Sequence, residues 1–278
     1  MDRRKLEVLV RHRAAMAGLA LLVLFALGAA AAGGSPYDPL RSSADEQLQP
    51  PSGRHPFGTD HQGRDVLTRL AYGARISLLI GTACVAFAAA LGVPLGAAAG
   101  YFGGWVDLSV SRLVDVLLSF PSILLAIAIA APMGASLETV IVSVGVVGVP
   151  QFARQARASV LALREQEFVT AARALGAGHG RILFRAILPN ALGPLIVLAT
   201  LGVGSSILMA AALSYLGLGV EVGTAEWGHM FREGFNDYKH SPWPAIFPGL
   251  AISLAVLGFN LFGDGLRDAL DPRSRETR

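Results

Sequence analysis

Charge is scarce in this sequence. Only 15% of its 278 residues are Asp, Glu, Lys or Arg, against about 25% in ordinary soluble proteins. Lysine is almost missing, with Lys5 and Lys239 the two present. A soluble fold could not cover its surface with so few charges. Disorder is excluded too, because 53% of the residues are hydrophobic. The single cysteine, Cys84, rules out an intrachain disulfide and a multi-thiolate zinc site. Lying in an apolar run, it reads as a small hydrophobe. Neither lysine follows a glycine, so the phosphate-cradling loop of glycines before Lys and Ser or Thr is absent, and with it ATP hydrolysis by that route. There is no His-Glu-x-x-His, no Cys/His cluster and no Gly-x-Ser-x-Gly elbow. The histidines are His12, His55, His61, His179, His229 and His240, and none pairs at metal-ligand spacing on a helix. No catalytic centre is expected, and no cofactor or metal site. No basic block points to nucleic acid. The apolar runs hold too few ionisable groups for an obvious proton relay.

What the sequence has is long uncharged runs. They are Ala14–Tyr37 (24 residues), Ile76–Val106 (31), Val116–Leu137 (22), Thr139–Ala153 (15), Ala186–Val220 (35) and Ala245–Gly263 (19). About 20 apolar residues cross a bilayer as a helix. Six spans follow, at about 14–34, 76–100, 109–131, 137–156, 190–213 and 245–264. The expected fold is an all-α polytopic membrane protein. The fourth run is short and contains Gly145, Gly148 and Pro150, so a buried half-helix is the alternative there. The first span has a basic start and an Ala-rich end, which is also how a cleaved signal peptide reads; its apolar stretch is longer than such peptides carry.

Orientation follows from the basic residues. The N-terminal segment 1–13, the loop before span five and the tail 265–278 carry fifteen of the 23 Lys and Arg. The opposite segments, 35–75 and the one before span six, carry seven. Both termini and the long Arg-rich loop are therefore expected in the cytoplasm.

Within this frame several segments carry expectations. Ala88, Gly92, Gly96 and Gly100 place a small residue every fourth position on span two, a surface for close helix approach inside the chain or against a partner. Arg112 and Asp115 are three apart at the start of span three and can pair on one helix face, or contribute to a gate. Pro121 predicts a kink there. In the external segment, Phe57 to Asp65 reads as a turn before a short helix, Val66–Tyr72, capped by Thr59 or Asp60. Trp227 and Trp243 read as interface anchors. Asn260, polar within span six, is a pore candidate or a helix–helix hydrogen bonder.

The cytoplasmic loop, about 157–189, is the most informative stretch. Leu161, Leu163, Phe168, Ala171, Ala172 and Leu175 lie among Arg and Glu. Gly176-Ala177-Gly178-His179-Gly180 then breaks the helix. A second helix from Arg181 to Leu188 is expected to end at Pro189. The result is a helix-turn-helix that either lies on anionic lipid or docks on a protein.

At this loop a family becomes recognisable. Glu167-Phe168-Val169-Thr170-Ala171-Ala172-Arg173-Ala174-Leu175-Gly176-Ala177, then Ile187-Leu188-Pro189-Asn190, resembles the coupling motif of ATP-binding-cassette importer permeases. That motif reads Glu-Ala-Ala, three residues, Gly, then Ile-x-Leu-Pro; here Thr170 replaces the Glu and Ala186 stands at the Ile position. Three further stretches look like the second permease of the dipeptide/oligopeptide/nickel branch. They are Phe57-Gly58-Thr59-Asp60-x-x-Gly63-Arg64-Asp65, then Ser214 to Gly219 with Trp227-Gly228, and Asn260 to Pro272. Arg112-x-x-Asp115 before Phe120-Pro121 also fits.

The resemblance, over about residues 55–273, implies a type I importer permease fold with six transmembrane helices. It implies a permease core over 76–264 and a coupling loop that docks in a groove of a cytoplasmic ATPase subunit. Phe168, Thr170, Ala171, Ala172, Arg173, Leu175, Gly176 and Pro189 are the coupling residues it points to, with Phe168, Ala172 and Leu175 in the groove, Arg173 at its rim and Gly176 at the sharp exit. Implied partners are a homologous second permease, two ATPase subunits holding ATP and magnesium, an external solute-binding protein and the lipid bilayer. Short peptides are the expected cargo; nickel or another small solute is the neighbouring alternative in the same branch. A secondary transporter would show symmetric broken helices, and no convincing internal repeat is present.

Overall fold

The computed structural model describes residues 8–221 and 223–270. The basic residues of 1–7 and of 271–278, used above for orientation, lie outside this range, as do Asp271 and Pro272. The described chain is a bundle of helices. They are α1 (Arg13–Ala31), α2 (Val66–Phe102), α3 (Gly104–Ser119), α4 (Ser122–Met133), α5 (Leu137–Arg164), α6 (Glu167–Ala174), α7 (Leu188–Tyr215), α8 (Trp227–Asn236) and α9 (Trp243–Leu270). Five elements are long and apolar enough to span a bilayer, and the bent pair α3–α4 makes a sixth when its two helices are counted as one span.

Span three differs most from expectation. It is two helices meeting at 91°, not a kinked rod. Phe120 is extended at ψ 139°, the conformation a residue before proline favours, and Pro121 has no N–H to continue the ladder. The expected external helix is no separate element either. It is the first part of the 37-residue α2, whose N-cap is Asp65, accepting the Thr68 N–H at 2.7 Å. Thr59 and Asp60 bond elsewhere. The fourth run is a full helix of 28 residues with Pro150 inside it.

Inside a bilayer, lipid tails solvate apolar side chains as well as other side chains do, so helices associate through close dispersion contacts. The most extensive pairing here is α2 with α5. It is built by the small-residue stripe. A Cβ on Gly92 would lie 2.6 Å from the Val149 carbonyl oxygen, and one on Gly100 would lie 2.8 Å from that of Arg157. At Gly96 it would collide with the Ala153 carbonyl. The stripe is therefore internal packing, not a face held open for a partner chain. α1 lies against α9 and α2, and Arg75 Nε closes its C-terminal end by donating to the Ala29 carbonyl at 2.5 Å. α7 packs between α2, α5 and α9, completing a core that includes Val85, Phe152, Leu195, Ile207 and Ala255.

Candidate functional site

The loop between α5 and α7 leaves α5 at Glu165 and enters α6 at Glu167. Glu167 in the first turn and Arg173 in the last both complement the helix dipole. The exit is a Schellman cap: Ala177 N–H bonds to the Ala172 carbonyl at 3.0 Å, and Gly176 N–H to that of Arg173 at 2.9 Å. Gly176 has φ 75°, and nothing lies within 4 Å of where a Cβ would stand. Glycine is present for backbone handedness, not for close approach.

One face of α6 is pinned. Val169 is fully buried in a cluster with Tyr101, Val160, Ile182, Leu183 and Ile187, against which Ala172 and Ala177 also pack. Tyr101 OH and His179 Nδ1 lie 3.0 Å apart, tying the loop to the end of α2. The opposite face is bare. Phe168 is 41% exposed and Leu175 88%, and Thr170, Ala171 and Arg173 are exposed beside them. Ala172, one turn from both Phe168 and Val169, is half-buried and lies at the edge between the pinned face and the one that Phe168 and Leu175 present. Sequence reasoning passed over Phe184, 68% exposed on the next turn between Arg181 and Arg185; an apolar residue between two arginines was the available signal.

Pro189 does not end the second helix. A turn at His179–Arg181 continues as a π-helical stretch, Ile182–Ile187, and then directly as α7, with Pro189 in its first turn. Leu188 N–H reaches back to the Leu183 carbonyl. The wider π turn and the first-turn position, where an N–H lacks a helical partner anyway, accommodate the proline.

Arg112 and Asp115 do not pair with each other. Asp115 takes Arg154 Nη2 of α5 at 3.0 Å, and Arg112 is exposed without an ion pair among the described residues. Asn260 is exposed on α9 and makes no side-chain hydrogen bond among the described residues, so it does not join helices within this chain.

At the other end of the bundle, segment 60–69 and α8 hold a charge cluster that sequence reasoning missed. Asp60 Oδ2 pairs with Arg64 Nε at 2.7 Å, and Arg69 Nε lies 3.5 Å from it. Both arginines also reach Glu233 Oε2 of α8, at 3.0 and 3.1 Å, and His229 approaches its other oxygen at 3.4 Å. Arg64 and Arg69 are 2% and 1% exposed. Burial pushes the Glu233 carboxyl up, but the His229 hydrogen bond and the Arg69 and Arg64 charges outweigh it and hold it at about 2, below the usual 4.5. Next to this cluster, His55 is buried with Nδ1 2.9 Å from Asp65 Oδ2. Trp227 is no interface anchor; it is fully buried, its Nε1 donating to the Leu70 carbonyl at 3.0 Å. Glu226 caps α8 by accepting the Gly228 and His229 N–H groups.

Comparison with known proteins fits this layout. Residues 92–276 match the family described as "Binding-protein-dependent transport system inner membrane component", and residues 4–51 match "N-terminal TM domain of oligopeptide transport permease C". The chain is 47% identical over 276 residues to the dipeptide transport system permease protein DppC of Alkalihalophilus pseudofirmus, covering 98% of this chain and 90% of the relative. It is 44% identical over 264 residues to the glutathione transport system permease protein GsiD of Pectobacterium atrosepticum, covering 95% and 88%. In fold it is similar to a chain of the MetNI methionine ABC transporter in an inward-facing conformation. The TM-score is 0.58 at 21% identity, covering 73% of this chain and 96% of that one. The bundle is therefore a type I importer permease fold, and its named relatives are transport subunits, not enzymes. With two thirds of its length matched by the family and near full-length relatives above 40% identity, the chain belongs to the inner-membrane components of binding-protein-dependent transport systems.

Proposed function

We infer that this chain is one of two homologous permeases in an ATP-driven importer of short peptides. It works by alternating access in a bacterial plasma membrane, with both termini in the cytoplasm. Two ATPase subunits supply the driving force and an external solute-binding protein delivers the cargo. The observation that carries the coupling role is α6 itself. One face is locked into the permease by Val169, while another presents Phe168 and Leu175 with no covering group among the described residues. A surface anchored on one side and apolar on the other suits a groove in a second protein. Exposed Arg173, Arg181 and Arg185 favour an acidic rim on that partner. The dipeptide and glutathione relatives support short peptides over nickel as cargo.

The test is purification of the tagged chain from its native membrane in mild detergent. Co-purification of a second permease and an ATPase is expected. A chain recovered alone across several detergents and salt levels would overturn the reading.

A further inference from the structure

Helix α3 is jointed at both ends. Behind it, Gly103 and Gly104 both have positive φ, 68° and 53°. A Cβ on Gly104 would meet nothing within 4 Å, so the pair serves to turn the backbone and not to admit a neighbour. Ahead of it lies the 91° elbow at Phe120–Pro121. Between the joints, Val114 is the one buried residue of the 16. Packing therefore holds α3 weakly. What fixes it laterally is charge. Asp107 receives Arg157 Nε at 2.5 Å and Nη2 at 2.6 Å, a two-pronged pair, and Asp115 receives Arg154 at 3.0 Å. Arg154 and Arg157 lie about one turn apart on α5, so both pairs run from α3 to the same cytoplasmic stretch of one helix.

That stretch leads straight into the loop. α5 is clamped to α2 by the glycine stripe and, after Arg164, passes through two residues to α6. Arg164 itself donates to the Gly100 carbonyl at 2.9 Å, which joins the same ends again. A push on α6 is thus delivered to the cytoplasmic end of a stiff α2–α5 pair.

We propose that the Asp107–Arg157 pair, seconded by Asp115–Arg154, is a strut that carries movement of the coupling loop through α3 to α4. The proposal rests on the coupling role assigned to α6. Asp107 and Arg157 are positioning residues in it. A two-pronged guanidinium–carboxylate pair suits the task because it fixes orientation as well as distance. Partly exposed pairs contribute little to folding, so breaking this one should leave a folded complex whose parts no longer move together.

The experiment uses the co-purified complex carrying Cys84→Ala, with Leu124→Cys on the exposed side of α4 as a reporter. Its reaction rate with a membrane-impermeant maleimide is compared between nucleotide-free and ATP–vanadate-trapped states. The parent is expected to change at least about fivefold between states, the lower end of ordinary allosteric coupling. Asp107→Asn and Arg157→Gln should each bring the two rates within about twofold while ATP hydrolysis continues, and the exchanged pair Asp107→Arg with Arg157→Asp should restore the difference. Single variants that respond as the parent does would overturn the strut alone. So would an exchanged pair that folds and hydrolyses ATP but does not recover the response. A parent whose labelling ignores nucleotide would overturn the coupling reading, and the strut with it.

Discussion

The two ends of this molecule handle charge in opposite ways. At the end formed by segment 39–69 and α8, Asp60, Arg64 and Arg69 are buried, Glu233 is half-buried, and they answer one another. At the end that carries α6, Asp115 and Arg154 are more than half exposed, Arg112 and Arg173 are exposed, and Leu175 is almost bare. The first end, expected to lie outward, is closed on itself among the described residues; the second, expected to lie inward, leaves these groups uncovered there. Completeness costs desolvation, since two charges taken out of water repay it only with good geometry. The outer cluster accepts that cost and in return fixes segment 39–69 against α8, across more than 160 residues of sequence.

The sharpest way to break this contrast is to remove one buried partner. Arg69→Ala leaves the buried Asp60 and the half-buried Glu233 with less positive charge between them, and should destabilise by about 3–5 kcal/mol. The thermal midpoint of the detergent-solubilised chain reads this directly; an unchanged midpoint would show the cluster to be ornamental.

Acid should attack the same place. The folded Glu233 carboxyl sits at about 2, below its ordinary 4.5. A depressed carboxyl contributes stability that is fully present above the ordinary value and lost as pH falls through the folded one. The loss should therefore run from about pH 4.5 down to about 2 and reach at most about 3 kcal/mol. Glu233→Gln should flatten that limb of a stability–pH profile.

Next in size is the seam between α2 and α5. Gly96→Ala drives a methyl into the Ala153 carbonyl and should cost about 1–3 kcal/mol. Gly28→Ala on α1, where nothing lies within 4 Å, should be neutral or slightly stabilising. Equal midpoints for the two variants would mean the helices part easily, and that α5 is not a stiff element.

Much of this was legible in the sequence because it is local. Uncharged runs located the spans, and the glycine pattern of residues 88–100 located a close contact. Gly176 marked a turn in the left-handed region, since few other residues adopt it cheaply. What was not legible depends on partners distant in sequence. The pairing of Arg64 and Arg69 with Glu233 has no signature in any short window. Pro121 announced a bend but not its size, which is set by what α3 and α4 pack against. Asp115 was matched to its neighbour Arg112 by helical spacing, yet a distant arginine on α5 took it. Trp227 was read as an anchor because tryptophan favours membrane interfaces, and the buried Leu70 carbonyl could not be foreseen.

The inner end should tolerate change in stability and not in assembly. Gly176→Ala puts a side chain at φ 75°, a strain of about 1–2 kcal/mol confined to the end of α6. Amide exchange at 174–177 should rise roughly tenfold while the global midpoint holds.

Phe168→Ser and Leu175→Ser go further in the same direction. Neither side chain belongs to a buried cluster among the described residues, so each should shift stability by far less than a core substitution, about 0.5 kcal/mol for Leu175 and about 1 kcal/mol for the half-covered Phe168. If the bare face of α6 is where an ATPase docks, both should reduce co-purification of that subunit, with Leu175 the stronger because it is the more exposed. Val169→Ser supplies the counterpart on the buried face. It should cost stability first and affect docking only through the displaced helix. If Phe168 and Leu175 instead proved as costly to folding as Val169, the inner end would be as self-sufficient as the outer, and the contrast between the two faces would fail at its most exposed point.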